Sequence, residues 1–227
     1  MKINYNIAKK KTESFLSESN VKHYMLYAPT TESYWSQNPK LLILNLEPYG
    51  YEGHHLYHVD KETLVSWLNN KKSKTVRYTM SFVSVFLNAF MKRVVPTVTN
   101  FRSTFNDTEH LSKVLDKICY YNIRALSNDV VPQKQLSEND FSGKLSELLG
   151  EELKALDADI IIISGDQPRI IANKILFPTT PFNPHSVQEI DGKIVICTKH
   201  FSRPSYASNL DLLIASVKLA VKKFGPQ

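Results

Sequence analysis

Two side chains that could take part in hydrolysis lie at or just after short apolar runs of the chain. Glu47 follows the apolar run 41–46 and stands in a turn that contains a proline and a glycine. Asn122 lies near the end of the β-prone run 117–123. A carboxylate can orient or deprotonate a water molecule, and a carboxamide can read the edge of a heterocycle through its donor and acceptor groups. These two residues are therefore candidates for general-base catalysis and for ligand recognition.

Two further polar segments follow apolar runs in the second half of the chain. Ser164-Gly165-Asp166 closes the β-branched run 160–163, and His200-Phe201-Ser202-Arg203 follows the run 193–198. A histidine can stabilise a developing anion by donating a hydrogen bond, which makes His200 a second candidate catalytic residue. The side chains here that are suited to contact phosphate are Lys199, Ser202 and Arg203.

The apolar runs themselves predict the strands that would position these groups. They are too short for buried helices and rich in β-prone residues, so we predict strands at 41–46, 117–123, 159–164 and 193–198. Between and around them we predict helices at 8–19, 61–69, 79–94, 108–115, 139–156 and 209–224. A further helix is predicted to begin with Asp166 as its N-cap and Pro168 in its first turn.

Strands that alternate with helices predict an α/β fold. We expect one domain over residues 1–227, with three α/β/α layers around a central four-stranded parallel sheet and residues 1–37 packed on it as an N-terminal arm. In such sheets, ligands bind beyond the carboxyl ends of the strands. All the candidate residues above would meet at that edge.

Composition limits the classes of function. The 227 residues are 42% hydrophobic and carry a net charge of +6, which is compatible with a polyanionic partner but does not require one. Cys119 and Cys197 lie in apolar runs and are predicted to be buried thiols, too few for a zinc ribbon. No apolar run is long enough to span a membrane and residues 1–11 lack a signal-peptide core, so we expect a cytoplasmic protein without membrane contact.

Three histidines have a spacing that superficially suggests a metal site. His54, His55 and His58 are not accompanied by a matching carboxylate motif, and we interpret them as part of a solvated loop. We therefore predict no metal and no other cofactor.

Taken together, the strand-end segments resemble the motifs of the uracil-DNA glycosylase superfamily. Members carry Gly-x-Asp-Pro-Tyr-His or Gly-x-x-Pro-Gly after the first strand, where this chain has Asn45-Leu46-Glu47-Pro48-Tyr49-Gly50. They carry an asparagine at the end of the second strand, matched by Asn122, and His-Pro-Ser after the fourth, matched by His200-Phe201-Ser202. The resemblance covers residues 38–224.

The resemblance implies a role for each matching residue. Glu47 would position the attacking water, His200 would stabilise negative charge on the departing base, and Asn122 would hydrogen-bond that base. Tyr49 would limit room at the C5 edge of the base, and Tyr51 and Tyr57 are candidates for the aromatic side chain that stacks on it. The residues expected to contact DNA are Lys199, Ser202, Arg203, Ser205 and Gln167.

The chain also departs from the family pattern. Glu47 is one methylene longer than the usual aspartate, and Asn45, Gly50 and Phe201 replace a glycine, a histidine and a proline. These differences leave open which base is excised. A modified pyrimidine is compatible with the remodelled pocket.

The leading hypothesis is a monomeric DNA glycosylase that flips a uracil-like or modified pyrimidine and hydrolyses its N-glycosidic bond without a metal, in DNA repair or in defence against phage. One alternative is a nucleic-acid-binding protein on the same fold that lacks catalysis. Another is a hydrolase of free nucleosides or nucleotides. Each residue also has a structural interpretation, since Glu47 could cap a turn, Asn122 could form one, and His200 could be an ordinary surface histidine.

Overall fold

The computed structural model describes residues 2–18, 25–27, 31–45, 57–59, 61–70, 74–122, 143–199, 201 and 206–225. Within these residues the strands are β1 (Met25–Tyr27), β2 (Leu41–Asn45), β3 (Tyr57–Val59), β4 (Ile118–Asn122), β5 (Ile160–Ser164), β6 (Val187–Ile190) and β7 (Lys193–Thr198). The helices are α1 (Lys2–Glu18), α2 (Lys61–Asn69), α3 (Lys74–Lys92), α4 (Val98–Phe105), α5 (Thr108–Leu115), α6 (Lys144–Ala155), α7 (Asp166–Ile175) and α8 (Tyr206–Phe224). A short 3-10 helix spans Glu32–Ser36.

The main sheet of the described residues has five strands in the order β4-β2-β5-β7-β6. The first four of these are parallel, and they are the strands predicted from the sequence. β1 and β3 form a separate two-stranded parallel sheet. The α/β prediction is confirmed at this level, but the sheet is mixed and larger than the expected four parallel strands.

The fifth strand, β6, runs antiparallel to β7 at the edge of the sheet. It was missed because its sequence, Val-Gln-Glu-Ile, is short and half polar, and only Ile190 of the four residues is buried. The two strands are joined by Asp191 and Gly192, whose φ angles are 49° and 76°. Positive φ at both turn residues fits a tight hairpin and matches the twist of the strands.

Two helical layers cover the sheet. One apolar cluster joins Ile43, Ile162 and Ile196 of the strands to α2, α3, α4, α5 and α8, and we call this side the α3–α8 face. Alternate strand residues, such as Leu44 and Ile163, point the other way and pack with α1, α6 and α7. The parallel strands are therefore buried on both faces, which explains their nearly continuous apolar sequences.

Several helices begin or end away from their predicted bounds. α3 begins before 79, α8 begins before 209, and α1 extends over most of the first 18 residues. The helix predicted at 139–156 is Lys144–Ala155 in the structure, and residues 139–142 lie outside the described part. α5 has the predicted bounds. α4 was not predicted, and it begins with a capping box between Thr97 and Asn100.

Asp166 is not the N-cap of α7, as the sequence suggested. Gly165 occupies that position with φ of 97° and ψ of 173°, and Asp166 is the first helical residue. This backbone conformation is essentially restricted to glycine. The strand can therefore turn directly into the helix without an intervening loop.

The N-terminal residues are fixed to the main sheet by aromatic side chains. The Tyr34 hydroxyl donates a hydrogen bond to the Leu156 carbonyl oxygen at 3.1 Å, and Tyr34 is fully buried. Trp35 lies between Tyr34 and Tyr5, with ring centroids 5.2 and 5.6 Å away. None of the helices in the described part of the chain is long and apolar enough to cross a membrane.

Candidate active site

Polar residues end the four parallel strands of the described sheet in one continuous row. Asn45 of β2 pairs with Asn122 of β4, and Ser164 of β5 pairs with Thr198 of β7. Because Leu44 pairs with Ile163, Asn45 and Ser164 come next to each other on neighbouring strands. We call Asn122, Asn45, Ser164 and Thr198 the strand-end row.

The side chains of Asn45, Ser164 and Thr198 point to the same face of the sheet. The residues two positions earlier, Ile43, Ile162 and Ile196, all belong to the core on the α3–α8 face. Since alternate residues of a strand share a face, the polar side chains extend this layer at its carboxyl end. For Asn122, only the backbone position at the end of β4 is described.

The middle of the row lies at the point where the chain reverses its direction across the sheet. From β2 the chain continues to helices on the α3–α8 face and then to β4, whereas β5 leads into α7 on the opposite face. Connections that leave two adjacent strands toward opposite faces open a crevice between them, and ligands of α/β sheets bind there. Asn45 and Ser164 lie on the two sides of this point.

Both of these side chains are buried without a hydrogen-bond partner. Asn45 is 5% exposed and Ser164 is 0% exposed, yet neither amide atom of Asn45 nor the Ser164 Oγ has a partner among the described residues. Nearly all buried polar groups in folded proteins are hydrogen-bonded. An orphaned buried group costs about 1–3 kcal/mol, so the exceptions here suggest a functional reason.

The neighbouring strand end behaves differently. The Thr198 hydroxyl donates a hydrogen bond to the Ile163 carbonyl oxygen at 3.2 Å, and the Thr198 carbonyl accepts one from Gly165 N at 3.0 Å. Thr198 is thus satisfied within the sheet and holds the β5–α7 turn. The buried Thr198 hydroxyl, which has a hydrogen-bond partner, can therefore be compared with the neighbouring buried groups that have none.

Tyr120 also lies on the α3–α8 face, two residues before Asn122. Burial raises the pKa of the Tyr120 hydroxyl above its ordinary value, and the nearby Asn45 amide lowers it by a smaller amount. The Tyr120 side chain therefore approaches the Asn45 amide, although neither amide atom reaches full hydrogen-bond geometry with a partner among the described residues. The phenol stays neutral at physiological pH.

A second unpartnered amide lies in α8. The Oδ1 of Asn209 is buried without a partner among the described residues, and the residue is 6% exposed. Leu213 and Val217, four and eight positions later, pack in the core of the α3–α8 face, so Asn209 belongs to the same stripe. A helix that follows a parallel strand runs back along the sheet, and the first turn of α8 therefore lies at the carboxyl ends of the strands.

Two exposed residues at this edge were predicted to contact DNA. Gln167 is exposed in the first turn of α7, and Lys199 is exposed directly after β7. Asp166, next to Gln167 in the chain, forms an ion pair with Arg169, with Oδ1 and Nε 3.3 Å apart. Phe201 is 4% exposed and its ring centroid lies 5.4 Å from that of Phe82, so this residue is anchored in the core.

Other predicted site residues lie outside the described part of the chain: Glu47, Tyr49, Tyr51, His200, Ser202, Arg203 and Ser205. The same holds for His54 and His55. Among the described residues, no group of three potential ligands could hold a metal ion. The structure thus brings Asn122 together with Asn45, Ser164 and the segments that lead into the predicted motifs.

Sequence reasoning did not identify Asn45, Ser164 and Asn209 as residues with unsatisfied polar groups. The available signal was a polar residue closing an apolar strand, which Asn45 and Ser164 both show. Comparisons with protein-family models, with curated proteins and with solved structures found no match for this chain.

Proposed function

We propose that the chain is a DNA glycosylase that flips a uracil-like or modified pyrimidine out of DNA and hydrolyses its N-glycosidic bond. The observation that carries the proposal is the strand-end row, with the unpartnered Asn45 and Ser164 at the reversal point of the sheet. The residues that resemble glycosylase motifs follow β2 and β7 directly in the chain, and Asn122 ends β4. A base-binding pocket at this edge would use the unpartnered Asn45 and Ser164 together with Asn122 and the motif residues, whereas the Thr198 hydroxyl is already satisfied within the sheet.

The proposed reaction is a displacement at C1′ of the nucleotide. Glu47 positions a water molecule, whose oxygen forms a bond to C1′ as its proton passes to the carboxylate. The bond between C1′ and the base nitrogen breaks, and its electron pair leaves with the base. His200 stabilises this anion by donating a hydrogen bond, and proton uptake by the base completes the reaction. The products are an abasic site and a free base.

Extruding a base costs a few kcal/mol, which contacts at the edge of the pocket must offset. In this proposal Lys199 and Gln167, both exposed, contact the DNA backbone. Segment 202–205 occupies the gap left by the base, with Arg203 as wedge or phosphate clamp. Asn122 hydrogen-bonds the extruded base, and Tyr49 and Tyr51 shape the pocket around it.

A panel of single- and double-stranded oligonucleotides with uracil, thymine mismatches or modified pyrimidines tests the proposal. Alkaline treatment cleaves abasic sites, and strand scission reports base release. Glu47→Gln should lower the rate by at least about a hundredfold, since it removes a general base. Asn122→Ala should abolish activity as well. Glu109→Gln is the matched control, because this carboxylate lies on the surface in α5 and forms an ion pair with Lys113.

Absence of scission with every substrate, phage DNA included, would refute the glycosylase. Salt-sensitive DNA binding without product would then favour the non-catalytic DNA-binding protein. Turnover of free nucleosides with little DNA affinity would favour the small-molecule hydrolase. Full activity of both Glu47→Gln and Asn122→Ala would leave the reaction standing but refute the roles assigned to these residues.

A further inference from the structure

Among the described residues, all the buried side-chain atoms without a hydrogen-bond partner, except Glu152 Oε1 in α6, lie at one end of the sheet. Asn45 and Ser164 end adjacent strands, and Asn209 lies in the first turn of the helix that covers the same face. Each of the three residues is at least nine-tenths buried. We call them the unpartnered cluster.

The chemistry of the cluster restricts what it can bind. Its atoms belong to two carboxamides and one hydroxyl, which carry no charge at neutral pH. Phosphate is bound mainly by cations or by several aligned N–H groups, and a divalent metal prefers carboxylates or several oxygens. Neutral groups that offer donors and acceptors side by side are suited instead to a neutral, planar ligand with both, such as the edge of a nucleobase.

We infer that Asn45 and Ser164, together with Asn209, form the inner wall of a nucleobase-binding site. The Asn45 amide donates through Nδ2 and accepts through Oδ1 in one plane, so it can pair with adjacent acceptor and donor atoms of a base. Ser164 and Asn209 add a hydroxyl and a carbonyl acceptor from the neighbouring strand and from α8. The inference rests on the proposed function only in taking DNA as the source of the base.

In this site Asn45 determines specificity. The motif that the chain resembles has a glycine at this position, whereas Asn45 adds a carboxamide beside Asn122. Two amides at the ends of paired strands would contact two parts of the same base. Asn45 therefore restricts which heterocycles fit.

The decisive experiment measures stability and base binding on the same variants. Asn45→Leu, Asn45→Ala and Ser164→Ala each remove an unpartnered polar group. They should raise the melting temperature of the free protein, or leave it unchanged where a small cavity offsets the gain. Uracil, thymine, cytosine and adenine are added at millimolar concentration and followed by calorimetry. At least one base should bind the wild type, and each variant should bind it about tenfold or more weakly.

Thr198→Val is the matched control. It removes a buried hydroxyl from the strand end next to Ser164, but that hydroxyl already donates to Ile163. This variant should therefore lower the melting temperature while leaving base affinity within a factor of two. Opposite effects on stability in adjacent strand ends would separate a ligand-binding group from a structural one.

Two outcomes would overturn the inference. One is that no base binds the wild type. The other concerns Asn45→Ala and Ser164→Ala. If both variants lower the melting temperature, as Thr198→Val does, and still bind the base with wild-type affinity, these residues have a structural role. Base binding without cleavage of any DNA would leave the inference standing and refute the glycosylase. DNA cleavage at the wild-type rate by both Asn45→Ala and Ser164→Ala would leave the glycosylase standing and refute the inference about these residues.

Discussion

Glu152 is a buried carboxyl group on the other side of the sheet from the candidate site. It lies in α6, is 1% exposed, and accepts a hydrogen bond from the hydroxyl of Tyr121 in β4. Burial raises the pKa of Glu152 from 4.5 to about 7, and the nearby hydroxyls of Tyr121 and Thr12 lower it by a smaller amount. The folded protein therefore holds a proton here that the unfolded chain releases above pH 4.5.

This proton makes folding stability depend on pH. The contribution is fully present below the unfolded pKa of 4.5 and is lost as the pH rises to the folded pKa of about 7. In the wild type, we expect the unfolding free energy to decrease by roughly 3 kcal/mol between pH 4.5 and 7. Glu152→Gln is neutral at every pH in this range and should not show this decrease. Urea unfolding at pH 5, 6, 7 and 8 measures the difference.

Glu151→Gln is the control for this prediction. Glu151 is the neighbouring residue, but it is exposed and its pKa is lowered by a hydrogen bond and charge attraction from Lys11. It should show the same decline in stability over this range as the wild type. Parallel stability profiles for wild type and Glu152→Gln would contradict the assignment of the buried proton.

At the scale of elements, the sequence predicted those whose apolar pattern is strong. Ile160–Ser164 and Thr108–Leu115 match because a β-branched run and a capped amphipathic run leave little choice of structure. β6 was missed because its two buried or half-buried apolar residues acquire a strand conformation only by pairing with β7. The observed ends of several helices differ from the predicted ones because tertiary packing, rather than helix propensity, stabilises the terminal turns.

The sequence predicted the candidate site only in part. That Asn122 ends a strand could be read from its apolar run, and parallel order then brings it to the edge with Asn45 and Ser164. That Ser164 lacks a partner whereas Thr198 has one could not be read from the sequence. It depends on which carbonyl oxygen each hydroxyl can reach across the sheet.

Phe201 connects one element to the site. It is buried against Phe82 of α3 and stands between His200 and Ser202 in the chain. We expect Phe201→Ala to lower the unfolding free energy by about 3 kcal/mol or more, as for other buried aromatic truncations. If the proposed site releases a base, Phe201→Ala should also lower the rate of that release at least tenfold well below the melting temperature, because the residues proposed for catalysis would lose their anchor.

Phe90→Ala provides the comparison. Phe90 lies in α3, the helix that contains Phe82, and is 7% exposed with its ring stacked on that of Phe86. It is about 12 Å further along this helix than Phe82. A similar loss of stability is expected for this variant, with base release close to that of the wild type. Equal losses of activity in both variants would show that Phe201 acts through stability alone.

At the scale of the whole molecule, the proposed function makes the effect of a charge on DNA binding depend on where that charge lies relative to the sheet. The chain carries a net charge of +6. Lys199 is exposed at the carboxyl end of β7, whereas Lys222 is exposed in the last turn of α8, which runs back toward the opposite end. If the proposed site binds DNA, only the first of these two charges lies at its edge.

We therefore expect Lys199→Ala and Lys222→Ala to differ although each removes one positive charge. Replacing a cation that contacts a phosphate should reduce the slope of log affinity against log salt concentration by about 0.9 and weaken binding at low salt. Lys199→Ala should show this change, and Lys222→Ala should keep nearly the wild-type slope. Fluorescence anisotropy with a labelled duplex over a range of salt concentrations measures both. Equal effects would mean that the net charge, and not the carboxyl edge of the sheet, governs binding.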